Sequence, residues 1–387
     1  MDRVDPKVDE AIETLNMKDG PSRRKLLKGT GLVSATAAAS ALLAACSSSS
    51  SPASAAAKDT AGNFPKTPAW QFWFVNHVTT NTFFTPTQYG FADAAAILDI
   101  PVPKWTGSTN SVASQMVAQI NAAVSAKAAG IATTLINSSS FTTPVGNAMS
   151  AGIPVLSYNA DGVVSKSGVP DIGCNRLAYV GQALFTSGQQ LGERIKSLTT
   201  PGEVAIFIET PGTANIQPRF DGANSILSPL GYKVAEITTT TVPATILANE
   251  KAYLLAHKSV KGAFAVDSTS TSFLAQALSE TGLSHLPNGG FDTVPQTLTN
   301  IKAGTTGFTI YQDPYLQGVL PVLYMYLYNL SGGVLSPPDT DTGLSVVTKA
   351  NVQPYVADSR FQGSTTAQKY IPRAAGAILS PPATTST

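Results

Sequence analysis

Asn159 and Asp161 follow the apolar run Ile153 to Tyr158, Asn175 follows Ile172 to Cys174, and Asn215 and Arg219 follow Val204 to Ile208. Asp267 follows Gly262 to Val266, Asp292 follows Gly289 to Phe291, and Gln312 ends Phe308 to Tyr311. Each apolar run reads as a strand, so polar side chains recur just past strand ends. Taken singly, such residues cap helices or shape turns. Taken together, they face one crevice lined by carboxylates, amides and a guanidinium, a set that suits an uncharged polyhydroxylated ligand. A hydroxyl donates to a carboxylate and accepts from arginine or an amide. Phe83 and Phe84 lie in a polar loop beside this crevice, where the C–H face of a ring-form sugar stacks on a phenyl ring. The alternative is that they staple the following helix to the core. His77, in the same loop, is a candidate ligand contact; His257 and His285 read as surface residues at helix ends.

Charge narrows the ligand further. Arg219 is offset by Asp267 and Asp292, with Asp161 near, so a phosphate or carboxylate would meet excess negative charge. Catalysis has little support: the three histidines lack metal-ligand spacing, and the chain has no G-x-S-x-G, G-x-x-x-x-G-K-[ST] or Cys-x-x-Cys. No catalytic residue, metal site or cofactor is expected.

Those loops need strands and helices to hold them. Trp70 to Val75 is aromatic and β-branched, as in a strand buried on both faces. Thr85 then serves as N-cap and Pro86 as the first helical residue of a run to Leu98. Pro101 to Trp105 is a short second strand, and Ser111 to Ala129 a helix with Gly130 at its C′ position. Strand-like Asp171 to Cys174 and a helix Ala178 to Leu198 come later in the alternation, which ends in a long apolar helix, Pro314 to Leu330. That helix is short for a membrane span and carries Pro314, Gln317 and Pro321, so it belongs to a core. About ten βα units exceed one comfortable sheet, and two parallel sheets flanked by helices are predicted.

The front of the chain is different. Arg23-Arg24 are the twin arginines of an export signal, and seventeen weakly apolar residues, Gly29 to Ala45, follow. They end in Leu43-Ala44-Ala45-Cys46, which resembles a bacterial lipobox with Cys46 as the lipidation site. Residues 1–46 read as a signal peptide, 47–68 as a flexible tether, and 374–387 as a disordered tail. Removing 1–46 takes 7 of the 25 Lys+Arg and 6 of the 24 Asp+Glu, leaving 18 of each. That balance gives no footprint for nucleic acid. One cysteine, Cys174, is left, so no internal disulfide forms.

At the crevice residues the sequence resembles the type I periplasmic sugar-binding proteins, the ribose-binding-protein-like receptors of ABC transporters, over roughly residues 70 to 350. The family's Asn-Pro-Phe-Phe corresponds to Asn81-Thr82-Phe83-Phe84, and its Ile-Pro-Val-x-x-x-Asp-Arg to Ile153-Pro154-Val155 through Asn159-Ala160. The Arg-x-x-Gly helix start falls on Arg219 and Gly222, Phe-Ala-x-Asn/Asp on Phe264 to Asp267, Gly-Phe-Asp on Gly290-Phe291-Asp292, and the late Gln on Gln312. Ala160 in place of arginine is the largest departure, and points away from ribose toward another pentose, a hexose or a polyol.

The resemblance implies an α/β fold of two Rossmann-like lobes joined by a three-stranded hinge. The N-terminal lobe is 69–175 plus 313–335 and the C-terminal lobe 176–312 plus 336–373, with crossings near Asn175, near Gln312 and at Ser331 to Thr342. It implies a monomeric, lipid-anchored receptor, outside the cytoplasmic membrane, that hands a neutral monosaccharide or polyol to ABC permease subunits. Alternatives are a sugar-sensing receptor with the same cleft, a transcription regulator of the same fold, and an extracytoplasmic hydrolase using Asp267 and Asp292.

Overall fold

The computed structural model describes residues 67–164, 170–357 and 360–363. The leader, Cys46, nearly all of the tether and the C-terminal tail lie outside the described residues. In chain order the first elements are β1 (Phe72–Asn76), α1 (Thr85–Leu98), β2 (Lys104–Gly107), α2 (Ala113–Ser125), β3 (Gly130–Leu135), α3 (Thr142–Ser150) and β4 (Val155–Asp161). A small hairpin, β5 (Val163–Val164) with β6 (Pro170–Asp171), precedes β7 (Tyr179–Gly181) and α4 (Leu184–Leu198). Then come β8 (Glu203–Ile208), α5 (Gln217–Leu227), β9 (Lys233–Thr238), α6 (Pro243–Ala256), β10 (Ala263–Ala265), α7 (Ser268–Glu280) and β11 (Asn288–Phe291). The last are α8 (Pro295–Ala303), β12 (Phe308–Tyr311), α9 (Leu316–Leu330), β13 (Thr340–Asp341) and β14 (Ser345–Thr348).

Two six-stranded sheets result, in the orders β13-β7-β4-β3-β1-β2 and β14-β12-β11-β10-β8-β9. All pairings within them are parallel except β12 with β14. Alternation along β1 shows why both faces are covered. Phe72 and Phe74 pack with Phe91 of α1 and Met325 of α9, while Trp73 and Val75 pack with Met116 and Ile120 of α2. The second sheet repeats the plan, with Ile206 packed among α4 and α5 and Ala205 and Phe207 among α6 and α7. Side chains of this kind contribute about 1.5–3 kcal/mol each on burial. Helix α9 is thus a core helix, and among the described residues no helix is long and apolar enough to cross a membrane.

Five sequence expectations need correction. The strand expected at Asp171 to Cys174 is displaced: Pro170–Asp171 belong to the small hairpin, and the sheet strand is β7, whose Val180 packs into the core. Tyr179 and Val180 favour extended backbone over the helix drawn through them, and α4 begins at Leu184. The first crossing between sheets therefore follows β7, at Gln182, rather than lying near Asn175, and β13 within 336–373 belongs to the first sheet. Finally, α2 stops at Ser125, Lys127 takes a left-handed backbone (φ 53°), and Gly130 opens β3 instead of capping the helix.

Candidate functional site

The switch in strand order falls between β1 and β3 in one sheet and between β8 and β10 in the other. Parallel sheets leave a crevice at the carboxyl ends of the strands flanking such a point. The loops after β1, β8, β10 and β11 meet there and enclose a cavity of about 460 Å³, part of it open to solvent.

From the first lobe, the Asn81 side chain caps a single 3-10 turn, Thr82 to Phe84, by accepting from the Phe83 N–H at 2.9 Å. The turn brings Phe83 and Phe84 into edge-to-face contact, centroids 4.7 Å apart, on the cavity wall. Both rings also pack into the core cluster, so the two sequence readings, cleft wall and helix staple, describe the same residues. His77 is buried, and its Nδ1 lies 3.1 Å from Thr134 Oγ1 and its Nε2 3.3 Å from Asn215 Nδ2. Burial pulls its pKa down to about 4, so the ring is neutral. The Asn215 amide donates to Nε2, which leaves the Nδ1 proton for Thr134.

Asn159 sits within β4, where the register against β3 shifts and its own φ is 61°. That backbone turns the amide inward to donate to Gln317 Oε1 at 3.1 Å. Gln317, on α9, in turn donates to the Gln312 carbonyl and side-chain oxygens and to Thr342 Oγ1. One buried amide thus ties the cavity wall to two segments that cross between the sheets.

The second lobe supplies the charges. Arg219, on the first turns of α5, is 2% exposed. Close packing of α5 on α4 fixes its position: a Cβ on Gly222 would lie 2.2 Å from the Phe185 carbonyl, and one on Gly188 2.1 Å from the Arg219 carbonyl. The guanidinium lies over Phe291 at 4.2 Å and donates to Val266 O (3.0 Å) and Gln182 Oε1 (3.2 Å). Its Nε has no hydrogen-bond partner among the described residues, although an unpaired buried donor costs about 1–3 kcal/mol. Asp292 (φ 73°) accepts from Gln312 Nε2 at 2.7 Å, and burial raises its pKa against the pull of Arg219.

Asp267 caps α7 through Ser270, and its Oδ2 also accepts the Glu209 N–H at 2.9 Å. Burial lifts its pKa to about 6. Both oxygens are already engaged, which fits a fixed acceptor better than a general acid or base of a hydrolytic pair. Beside it stands Glu209, pushed up to about 8 by burial and by the Asp267 charge.

Nine of the eleven residues selected from sequence therefore line one cavity: His77, Phe83, Phe84 and Asn159 from one side, and Asn215, Arg219, Asp267, Asp292 and Gln312 from the other. Asp161 and Asn175 do not. Asp161 accepts from Ser157 and is paired with Arg176, which also reaches Asp339. Asn175 is exposed near Gly146 of α3. Missed in sequence were Glu209, Asn81, Gln182 and Gln317. Glu209 had a signal, since it directly follows β8 just as Asp267 and Asp292 follow their strands.

Two parallel-sheet lobes around a polar cavity suit a protein that holds a small solute between them. Residues 72–332 match the family model of the periplasmic binding protein domain, and the chain belongs to that family. The xylose/arabinose-binding protein XylF of Sulfolobus acidocaldarius is 43% identical over 320 residues, covering 80% of this chain and 78% of its own. A solute-binding protein of an ABC transporter from Burkholderia graminis, crystallised with D-arabinose, superposes with a TM-score of 0.68 at 28% identity, covering 76% of this chain and 100% of that one. A carbohydrate transporter from Acidothermus cellulolyticus, in complex with myo-inositol, shares the fold at a TM-score of 0.65 and 23% identity, over 76% and 99% of the two chains. The first two are binding proteins, and so is this one.

Proposed function

We propose that this protein captures a neutral monosaccharide, an aldopentose in the first instance, between its two lobes and delivers it to an ABC permease. The observation that carries the reading is the environment of Arg219. A buried guanidinium with a spare Nε–H faces a cavity shared with the carboxylates of Asp267 and Asp292. The single positive charge is outnumbered, so an anion is disfavoured, while hydroxyls find both donors and acceptors. The pentose preference draws on the xylose/arabinose-binding relative and the arabinose-bound neighbour. Sensing through the same cleft is the second reading.

Thermal denaturation of the full chain against a panel of neutral sugars, polyols, amino acids and sugar phosphates tests the proposal. A true ligand at a thousand times Kd adds about 4 kcal/mol, several degrees in Tm. Stabilisation by amino acids or sugar phosphates alone would overturn it.

Family membership and the twin-arginine and lipobox pattern around Cys46 support an extracytoplasmic, lipid-anchored monomer. Incorporation of labelled fatty acid into the wild-type chain and its loss in Cys46→Ser tests the anchor.

A further inference from the structure

The lobes are closed in this structure. The Ala214 N–H donates to the Ile136 carbonyl across the cleft at 3.1 Å, beside the His77 to Asn215 contact. Even so, a second and larger space of about 1010 Å³, open on its outer side, remains between them. The two cavities share Val78, Asn81, Glu209 and Ser268 as a common wall. The inner and outer spaces therefore adjoin along these four residues.

The outer lining is chemically uniform. Thr80, Thr109 and Asn110 come from one lobe, and Thr241, Thr269 and Gln296 from the other, with Val294 and Pro295 as an apolar floor. Among its lining residues there is no lysine, arginine or histidine, and Glu209 is the one ionisable group. Hydroxyl and amide side chains around a small C–H surface match a second neutral sugar ring, whereas an acidic unit would find no cation.

We infer that the outer cavity is a second glycosyl subsite, joined to the inner one past Glu209, so that the protein accepts a neutral disaccharide of the same sugar class as well as the monosaccharide. The inference rests on the monosaccharide reading of the inner cavity.

Titration calorimetry of the full chain with D-xylose and with xylobiose tests it, together with Thr80→Trp and Thr241→Trp, which fill the outer space from either lobe. Thr80 is exposed and Thr241 half-buried, so both variants keep the fold, and melting temperatures check this. Xylobiose is expected to bind one-to-one within about tenfold of xylose. Each Trp variant is expected to weaken xylobiose by about thirtyfold while leaving xylose within about threefold. Binding of xylose without xylobiose, or equal weakening of both sugars by the Trp variants, overturns the second subsite. Failure of both sugars to bind wild type overturns the pentose reading itself, and the subsite with it.

Discussion

His77 and Asn215 meet across the cleft, Nε2 to Nδ2 at 3.3 Å, with one residue from each lobe. Because burial keeps the imidazole neutral, Nε2 can accept and the contact is a hydrogen bond rather than a clash of two donors. It spans the cleft, so parting of the lobes would break it, and it favours their approach.

Asn215→Ala is expected to lower sugar affinity about tenfold, or ~1.4 kcal/mol, by removing a bond that parting of the lobes would break. The Tm of the sugar-free protein should change little. Calorimetry paired with a melting curve measures both, and a large Tm loss with unchanged affinity would make Asn215 a purely structural residue.

Arg219→Ala should abolish measurable sugar binding. Arg219→Lys should not restore it, because an ammonium cannot donate to Val266 O and Gln182 while also presenting an Nε–H to a ligand. The substitution to alanine also leaves Asp292 without its compensating charge, so a modest fall in Tm accompanies the loss. Binding retained by Arg219→Lys would contradict a role for the guanidinium's third donor.

Gln317→Leu should act on hinge and site together. Asn159 Nδ2 loses its 3.1 Å acceptor, and Gln312 and Thr342 lose a shared donor. Each unsatisfied buried group costs about 1–3 kcal/mol, so urea unfolding should register a clear destabilisation. Sugar binding should weaken as well, although Gln317 does not line the cavity.

Glu209 gives a pH dependence of defined sign. Its folded pKa of about 8 lies above the ordinary 4.5, so the folded state holds the proton more tightly. The stability this contributes is present in full below pH 4.5 and is lost as pH rises toward 8. His77 acts oppositely: its pKa is depressed from 6.5 to about 4, so its contribution is present above 6.5 and is lost on acidification. Melting curves of wild type minus Glu209→Gln isolate the first effect. Wild type should fall progressively below Glu209→Gln as pH rises from 4.5 to 8, and a flat difference would mean that Glu209 is ionised throughout.

The two-sheet architecture was legible because its strands are nearly continuous apolar runs and Pro86 marks a helix start, although the N-cap is Phe84, without a side-chain cap bond, and Thr85 is already helical. Most of the cavity was legible because parallel strands deliver their following residues to one edge, which located Asp267, Asp292 and Gln312 without coordinates. Asp161 misled because β4 continues through it and Arg176, distant in the pattern, occupies its carboxylate. Tyr179 and Val180 were lost inside a helix reading, since three residues of strand carry no periodicity. Gln317 could not be found at all: its role depends on α9 packing against a segment 25 residues later, Thr342, which no local pattern reports.

The cleft is proposed to take a neutral pentose. Titration of the full chain with D-xylose and L-arabinose, beside pentose 5-phosphate and the corresponding pentonate, tests it most directly. At least one neutral pentose is expected to bind one-to-one in the micromolar range or tighter, about −8 kcal/mol, and neither anion to give heat. Saturable binding of the phosphate or the pentonate, with none of the neutral sugars, would contradict it.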